Sequence, residues 1–150
     1  MEANMIITFF GHAKIYEREG ISDKVEAEIK KHVLPKEKAI FYLGGYGDYD
    51  DVCLRAVTSL RKKGLTCEIV LVTPYLTLPD HIKEKLGLYD CSVYPPLEKV
   101  PLRFAISKRN EWMINESDLI IAYVKHTYGG AYTSIKYAER KGKTVINIAQ

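Results

Sequence analysis

The chain has 150 residues, 47% of them hydrophobic and 27% charged, with a formal net charge of +3. Those proportions exclude a disordered or low-complexity chain and predict one domain, residues 1–150, around one core. The charge is too small to announce a polyanion-binding surface, so nucleic acid is not the expected partner.

The longest apolar run, Leu119 to Val124, is far too short to span a membrane. An acidic start at Glu2, followed by a merely strand-sized apolar stretch, does not read as a secretion signal. Cys53, Cys67 and Cys91 form no CxxC pair, and the four histidines have no metal-ligand spacing. No disulfide framework, metal or cofactor is therefore expected, and the predicted location is the cytoplasm.

Met5 to Phe10 reads as an apolar strand ending at Gly11-His12. Ser22 is placed to cap a helix reaching His32, with Val25, Ile29 and Val33 on one face. Ala39 to Leu43 is a second strand, ending in Gly44-Gly45-Tyr46-Gly47. The helix after it, Asp50 to Lys63, carries an apolar stripe of Cys53, Ala56, Val57 and Leu60 and is stopped by Gly64. The basic runs Lys30-Lys31 and Arg61-Lys62-Lys63 fall at the ends of these helices, where cations complement the helix dipole.

Thr66 to Thr73 is a third strand, and a short helix follows Pro79. Residues 87–101, with Pro95, Pro96 and Pro101, read as an irregular crossing. A helix from Leu102 to Glu116 would bury Leu102, Ala105, Ile106 and Met113. Asp118 to Val124 is a buried strand, Gly129-Gly130 opens the last helix, and Thr144 to Ile148 is the final strand. Apolar strands alternating with helices predict an α/β, Rossmann-like fold: a mostly parallel sheet with helices on both faces.

In such sheets ligands bind beyond the C-terminal strand ends. Unusual residues sit at three of those ends: Gly11-His12, Gly44 to Asp51, and His126 to Gly130. Glycine turns at Gly44, Gly45 and Gly47, and again at Gly129 and Gly130 before Ala131, would bare backbone N–H groups to an anion. The first turn equally reads as a tight connection with Asp48 or Asp50 capping the helix. Arg109 falls on the apolar stripe of its helix, with Asn110 beside it, and a guanidinium there needs an acid or a cleft. His12, His126 and Thr127 are further candidates for ligand contact.

The ordered set Gly11-His12, Gly44 to Asp50, Arg109-Asn110 with Trp112-Met113, Ser117-Asp118 and Gly129-Gly130-Ala131 resembles the SLOG superfamily. That superfamily is named after the Smf/DNA-processing A proteins and the Lonely Guy enzymes, and the pattern is most similar to its small, stand-alone YpsA-like bacterial and phage members. The resemblance spans nearly the whole chain. It implies a nucleotide or nucleotide-derived ligand in the glycine-rich pocket, bound by a sensor or sequestering protein, and a tendency to self-associate.

Two other activities are compatible with it. One is cleavage or transfer at the base–ribose bond, with Asp50 as the catalytic carboxylate. The other is single-stranded nucleic-acid binding. Lonely Guy enzymes carry PGGxGTxxE, whereas this chain has Tyr128 at the proline, Tyr132 at the third glycine and Lys136 at the glutamate. A lysine has the wrong sign to stabilise an oxocarbenium-like state, so hydrolysis by that mechanism is not expected.

Overall fold

The computed structural model describes residues 4–149; Glu2 and the acidic start lie outside them. Strands β1 (Asn4–Gly11), β2 (Lys38–Leu43), β3 (Cys67–Val72), β4 (Cys91–Val93), β5 (Leu119–Tyr123) and β6 (Thr144–Asn147) form one sheet in the order β4-β3-β2-β1-β5-β6. Every pairing is parallel. Ile7 of β1 faces Phe41 on one side and Leu119 on the other.

Alternation along the strands divides the core into two layers. Ile7 and Phe9 of β1, with Leu119 and Ile121 of β5, join α1 (Ile21–His32) and α2 (Asp48–Lys62) in one apolar layer. Phe10, Ile120 and Ala122 face the opposite layer, beneath α4 (Ala105–Glu116) and α5 (Gly130–Arg140). Both faces of the sheet are thus buried, which is why the strands read as continuous apolar runs rather than polar–apolar alternation. The Rossmann-like arrangement expected from the sequence is present, with a sheet that is parallel throughout.

Four local expectations are corrected. Gly20, with φ of 78°, and not Ser22, precedes α1, and no side chain caps it. α2 begins at Asp48, with Gly47 before it. The crossing over residues 87–101 contains β4, a three-residue edge strand beside β3; so short a run between turns gives no periodicity to read. Between β3 and β4 lies the short helix α3 (Asp80–Lys83).

The last correction concerns the long helix. Leu102 to Phe104 form a single 3-10 turn, and α4 starts only at Ala105. The 3-10 turn takes Leu102 out of the helical phase and leaves it 77% exposed, and Ile106, in the first turn of α4, is 50% exposed. Ala105, Arg109 and Met113 point inward as expected, joined by Ile114.

The chain builds outward from β1 to β4 and then returns to place β5 on the other flank of β1. Strand order therefore reverses between β1 and β5, and their C-terminal ends border the crevice that such a reversal opens.

Candidate functional site

Gly11 ends β1 beneath α2. A Cβ at Gly11 would lie 2.3 Å from the Tyr49 ring, so the glycine is required by packing. Tyr49 is buried, and its hydroxyl donates to the Ile121 carbonyl at 3.0 Å. This contact fixes the first turn of α2 over the centre of the sheet.

The turn from Gly44 is shaped by two left-handed residues, Gly45 with φ of 75° and Gly47 with φ of 95°. A Cβ at Gly47 would fall 2.8 Å from the Ala13 Cα, and one at Gly45 would fall 2.7 Å from the Leu71 side chain. Both glycines therefore serve the turn itself. The Asp48 carboxylate accepts the Ile15 N–H at 2.8 Å and pairs with Arg18 at 2.6 Å. That backbone bond, aided by the arginine, holds its carboxyl below the usual range. Asp50 accepts the Tyr46 N–H at 3.0 Å, so neither aspartate caps the helix. Burial pushes the Asp50 carboxyl up to about 6, against the opposing pull of the Tyr46 N–H and the Arg109 charge.

Arg109 is 6% exposed. Its Nη1 donates to the carbonyls of Val72 at 2.9 Å and Gly44 at 3.3 Å, and its Nε to Asn110 Oδ1 at 2.8 Å. It thereby ties the ends of β2 and β3 to α4. Among the described residues no carboxylate lies within 4.0 Å of the guanidinium, and Asp50 acts on it only from farther off. A buried cation usually has an acid against it, because leaving water is costly. Here carbonyl dipoles do that work, and among the described residues Nη2 has no acceptor.

At α5, Gly129 takes φ of 94° and Gly130 begins the helix. Nothing lies within 4 Å of a Cβ built on either, so packing does not demand these glycines. Gly11, Gly44, Asp50, Arg109, Asn110 and Gly130 line one cleft of about 150 Å³, with Ala131 and Tyr46 at its edge. Beyond Gly44 and Arg109 it meets a largely apolar cavity of about 360 Å³, walled by Tyr75, Leu78, Ile82 and Ile106. A depression of about 380 Å³ between α4 and α5 shares Asn110 and Gly130 with the cleft, whereas two others, of about 540 and 750 Å³, have no glycine of either turn in their lining, and no buried arginine lines any of the three.

Not every candidate residue reaches the cleft. Gly45, Gly47 and Gly129 shape its turns without lining it, and Thr127 is exposed. His12 and His126 lie ring against ring, tilted by 32°, with centroids 4.4 Å apart. Lys136 is exposed on α5 and pairs with Glu139 at 3.4 Å. Among the described residues no three His, Cys, Asp or Glu side chains gather as a metal site, and no helix is long and apolar enough to cross a membrane.

Sequence reasoning missed the apolar cavity. Its wall from Thr73 to Pro79 follows β3, a fourth strand end on the same edge, and Pro74, two residues past the strand, was the available signal. It also missed Tyr46, which borders both the cleft and the cavity.

No family model matches the chain. Among curated proteins it is similar to the SPbeta prophage-derived protein YoqJ of Bacillus subtilis, with 26% identity over 140 residues, covering 80% of this chain and 81% of that one. Among solved structures it is similar to DNA processing protein A from Helicobacter pylori, with 16% identity, a TM-score of 0.63, and 94% of this chain against 63% of that one. It is also similar to DNA processing protein A from Streptococcus pneumoniae, with 18% identity, a TM-score of 0.64, and 94% of this chain against 49% of that one. The chain thus spans about half to two-thirds of those structures.

At such identities the likeness establishes the fold, which is the one implied by the SLOG resemblance. It also overturns the expectation against nucleic acid. The Helicobacter pylori protein, which shares this fold, binds single-stranded DNA, and that conflicts with setting nucleic acid aside.

Proposed function

We propose that this chain binds a nucleotide-type ligand, its phosphate in the cleft over Arg109 and its base in the apolar cavity beyond Gly44. The observation that carries the reading is Arg109 itself: a buried guanidinium with no carboxylate within 4.0 Å among the described residues, lining the same cleft as Gly44 and Gly130. Guanidinium grips phosphate through paired N–H donors, and N–H groups at the start of α5 offer further donors. The open space around Gly129 and Gly130 fits close approach of a ligand to the backbone.

A second reading makes that nucleotide part of a single strand, and the likeness to the DNA-binding Helicobacter pylori protein favours it. The similarity to prophage-derived YoqJ supports assignment to the small YpsA-like type. Three free cysteines fit a cytoplasmic setting.

The test is titration of the protein with nucleoside monophosphates, followed by melting and by mass spectrometry of the recovered ligand. The ligand should raise the melting temperature and return intact. Arg109→Lys should weaken binding by roughly 1.5–3 kcal/mol, the worth of a hydrogen bond to a charged group. Release of free base, lost in Asp50→Asn, would replace binding with glycosidic cleavage. Single-strand binding would show as oligonucleotide affinity that falls steeply with salt. No melting shift with either kind of ligand would overturn the proposal.

A further inference from the structure

A second group of residues borders the same sheet edge and is not used by the cleft. His12, His126 and Tyr128 form a ladder of three rings: His12 to His126 at 4.4 Å and 32°, His126 to Tyr128 at 5.0 Å and 11°. The inner ring meets Tyr123 edge-on at 6.1 Å. Its Nε2 accepts the Lys125 N–H at 2.8 Å, which places the ring proton on Nδ1 and fixes the ring's orientation. Burial, with His126 and Lys125 nearby, lowers the His12 pKa and keeps that ring neutral. At the outer end Tyr128 is 70% exposed.

Such an arrangement is unusual for a side chain with no role. Aromatic rings contribute most when buried, yet here a stacked tyrosine is left largely in water. The Lys125 ammonium stands 5.5 Å from the Tyr123 ring at the base of the ladder, adding a cation beside it. Position is the second observation. His12 directly follows the cleft residue Gly11, and Tyr128 lies two residues before the cleft residue Gly130, so the ladder stands at the C-terminal ends of β1 and β5, outside the cleft lining but next in sequence to it. The apolar cavity lies on the other side, at the ends of β2 and β3. The two are separated by about two interstrand spacings, on the order of 10 Å. One base cannot occupy both.

We infer that Tyr128, backed by His126 and His12, is a second base-stacking seat, so that the ligand carries two bases flanking the phosphate held at Arg109. This rests on the reading of the cleft as a nucleotide site. Stacking on an exposed ring needs no base-specific hydrogen bonds, so the seat should tolerate any base.

The experiment compares a nucleoside monophosphate with a linear dinucleotide on the wild-type chain and on Tyr128→Ala and Tyr128→Phe. The dinucleotide should bind wild type roughly tenfold more tightly, as expected for one added base–aromatic stack. Tyr128→Ala should abolish that advantage and leave mononucleotide affinity unchanged; Tyr128→Phe should restore it. A hexanucleotide that binds more tightly still supports the seat and marks a strand as the ligand, whereas a plateau at two bases supports it and marks a dinucleotide. Equal affinities for the mononucleotide and dinucleotide, or equal losses for both in Tyr128→Ala, overturn the second seat alone. Failure of the mononucleotide to bind at all overturns the cleft reading beneath it.

Discussion

Single glycines at this edge answer to two different demands, packing and access, and their surroundings separate them. Gly11 is fixed by the Tyr49 ring, while Gly130 faces open space with an ordinary helical φ. Gly11→Ala should destabilise by roughly 1–3 kcal/mol or more, since a Cβ at 2.3 Å overpacks a rigid core contact. Gly130→Ala should leave the melting temperature unchanged or slightly raised, because alanine is the better helix former, and yet weaken ligand binding. Loss of stability without loss of affinity in the second variant would remove Gly130 from the site.

Asp50 gives a pH-dependent signature at the same scale. Its folded pKa of about 6 lies above the usual carboxylate value, so the folded state holds the proton more tightly. That contribution is full below roughly pH 4 and is lost as pH rises through about 6, where ionisation burdens the folded state. Asp50→Asn keeps an acceptor for the Tyr46 N–H without the charge. Its stability relative to wild type should therefore improve between pH 4.5 and 7.5, by about 2 kcal/mol. Denaturant titrations at those two pH values check this, and an unchanged difference would place Asp50 in water. The sequence revealed that Asp50 follows a glycine turn, but not that Asp48 and Asp50 divide the work, because the partners Ile15 and Arg18 come from another loop.

At the scale of elements, long apolar segments were legible and short ones were not. β1, β2, β3, β5 and β6 all appear where apolar runs predicted strands, since burial on both faces leaves an unbroken apolar signature. β4 was invisible because three residues held by one neighbour owe their conformation to β3 rather than to their own pattern. The helix over α4 was recognised with Ala105, Met113 and the buried arginine on its inner face, but Leu102 was misplaced, because a 3-10 turn takes it out of the helix's phase. That shift has a direct check. Leu102→Asp should change stability by no more than about 0.5 kcal/mol, as for an exposed position. Met113→Ala, emptying a fully buried site, should cost about 2–5 kcal/mol. Comparable losses in both would mean that Leu102 is buried after all.

For the molecule as a whole, the sequence yielded the architecture and the edge at which candidate residues gather, because parallel sheets constrain both. It did not yield the division of that edge into a polar cleft, an apolar cavity and a ring ladder. Such divisions depend on neighbours more than 60 residues apart, as when Arg109 meets the Gly44 carbonyl. Nor did it weigh nucleic acid correctly, since net charge reports on the surface average and not on one groove.

The pairing of β1 with β5 bears on how the chain is made. Residues 7–11 wait for partners at 119–123, so one flank of the central strand stays unpaired until most of the polypeptide has left the ribosome. Contacts so far apart in sequence slow folding, and an open apolar strand edge is a template for association with other chains. Nascent chains stalled between β4 and β5 should be the aggregation-prone species, and those extended past β5 should become protease-resistant. Because the cleft needs β1, α4 and the start of α5 together, ligand recognition comes late in synthesis and cannot rescue the early intermediates.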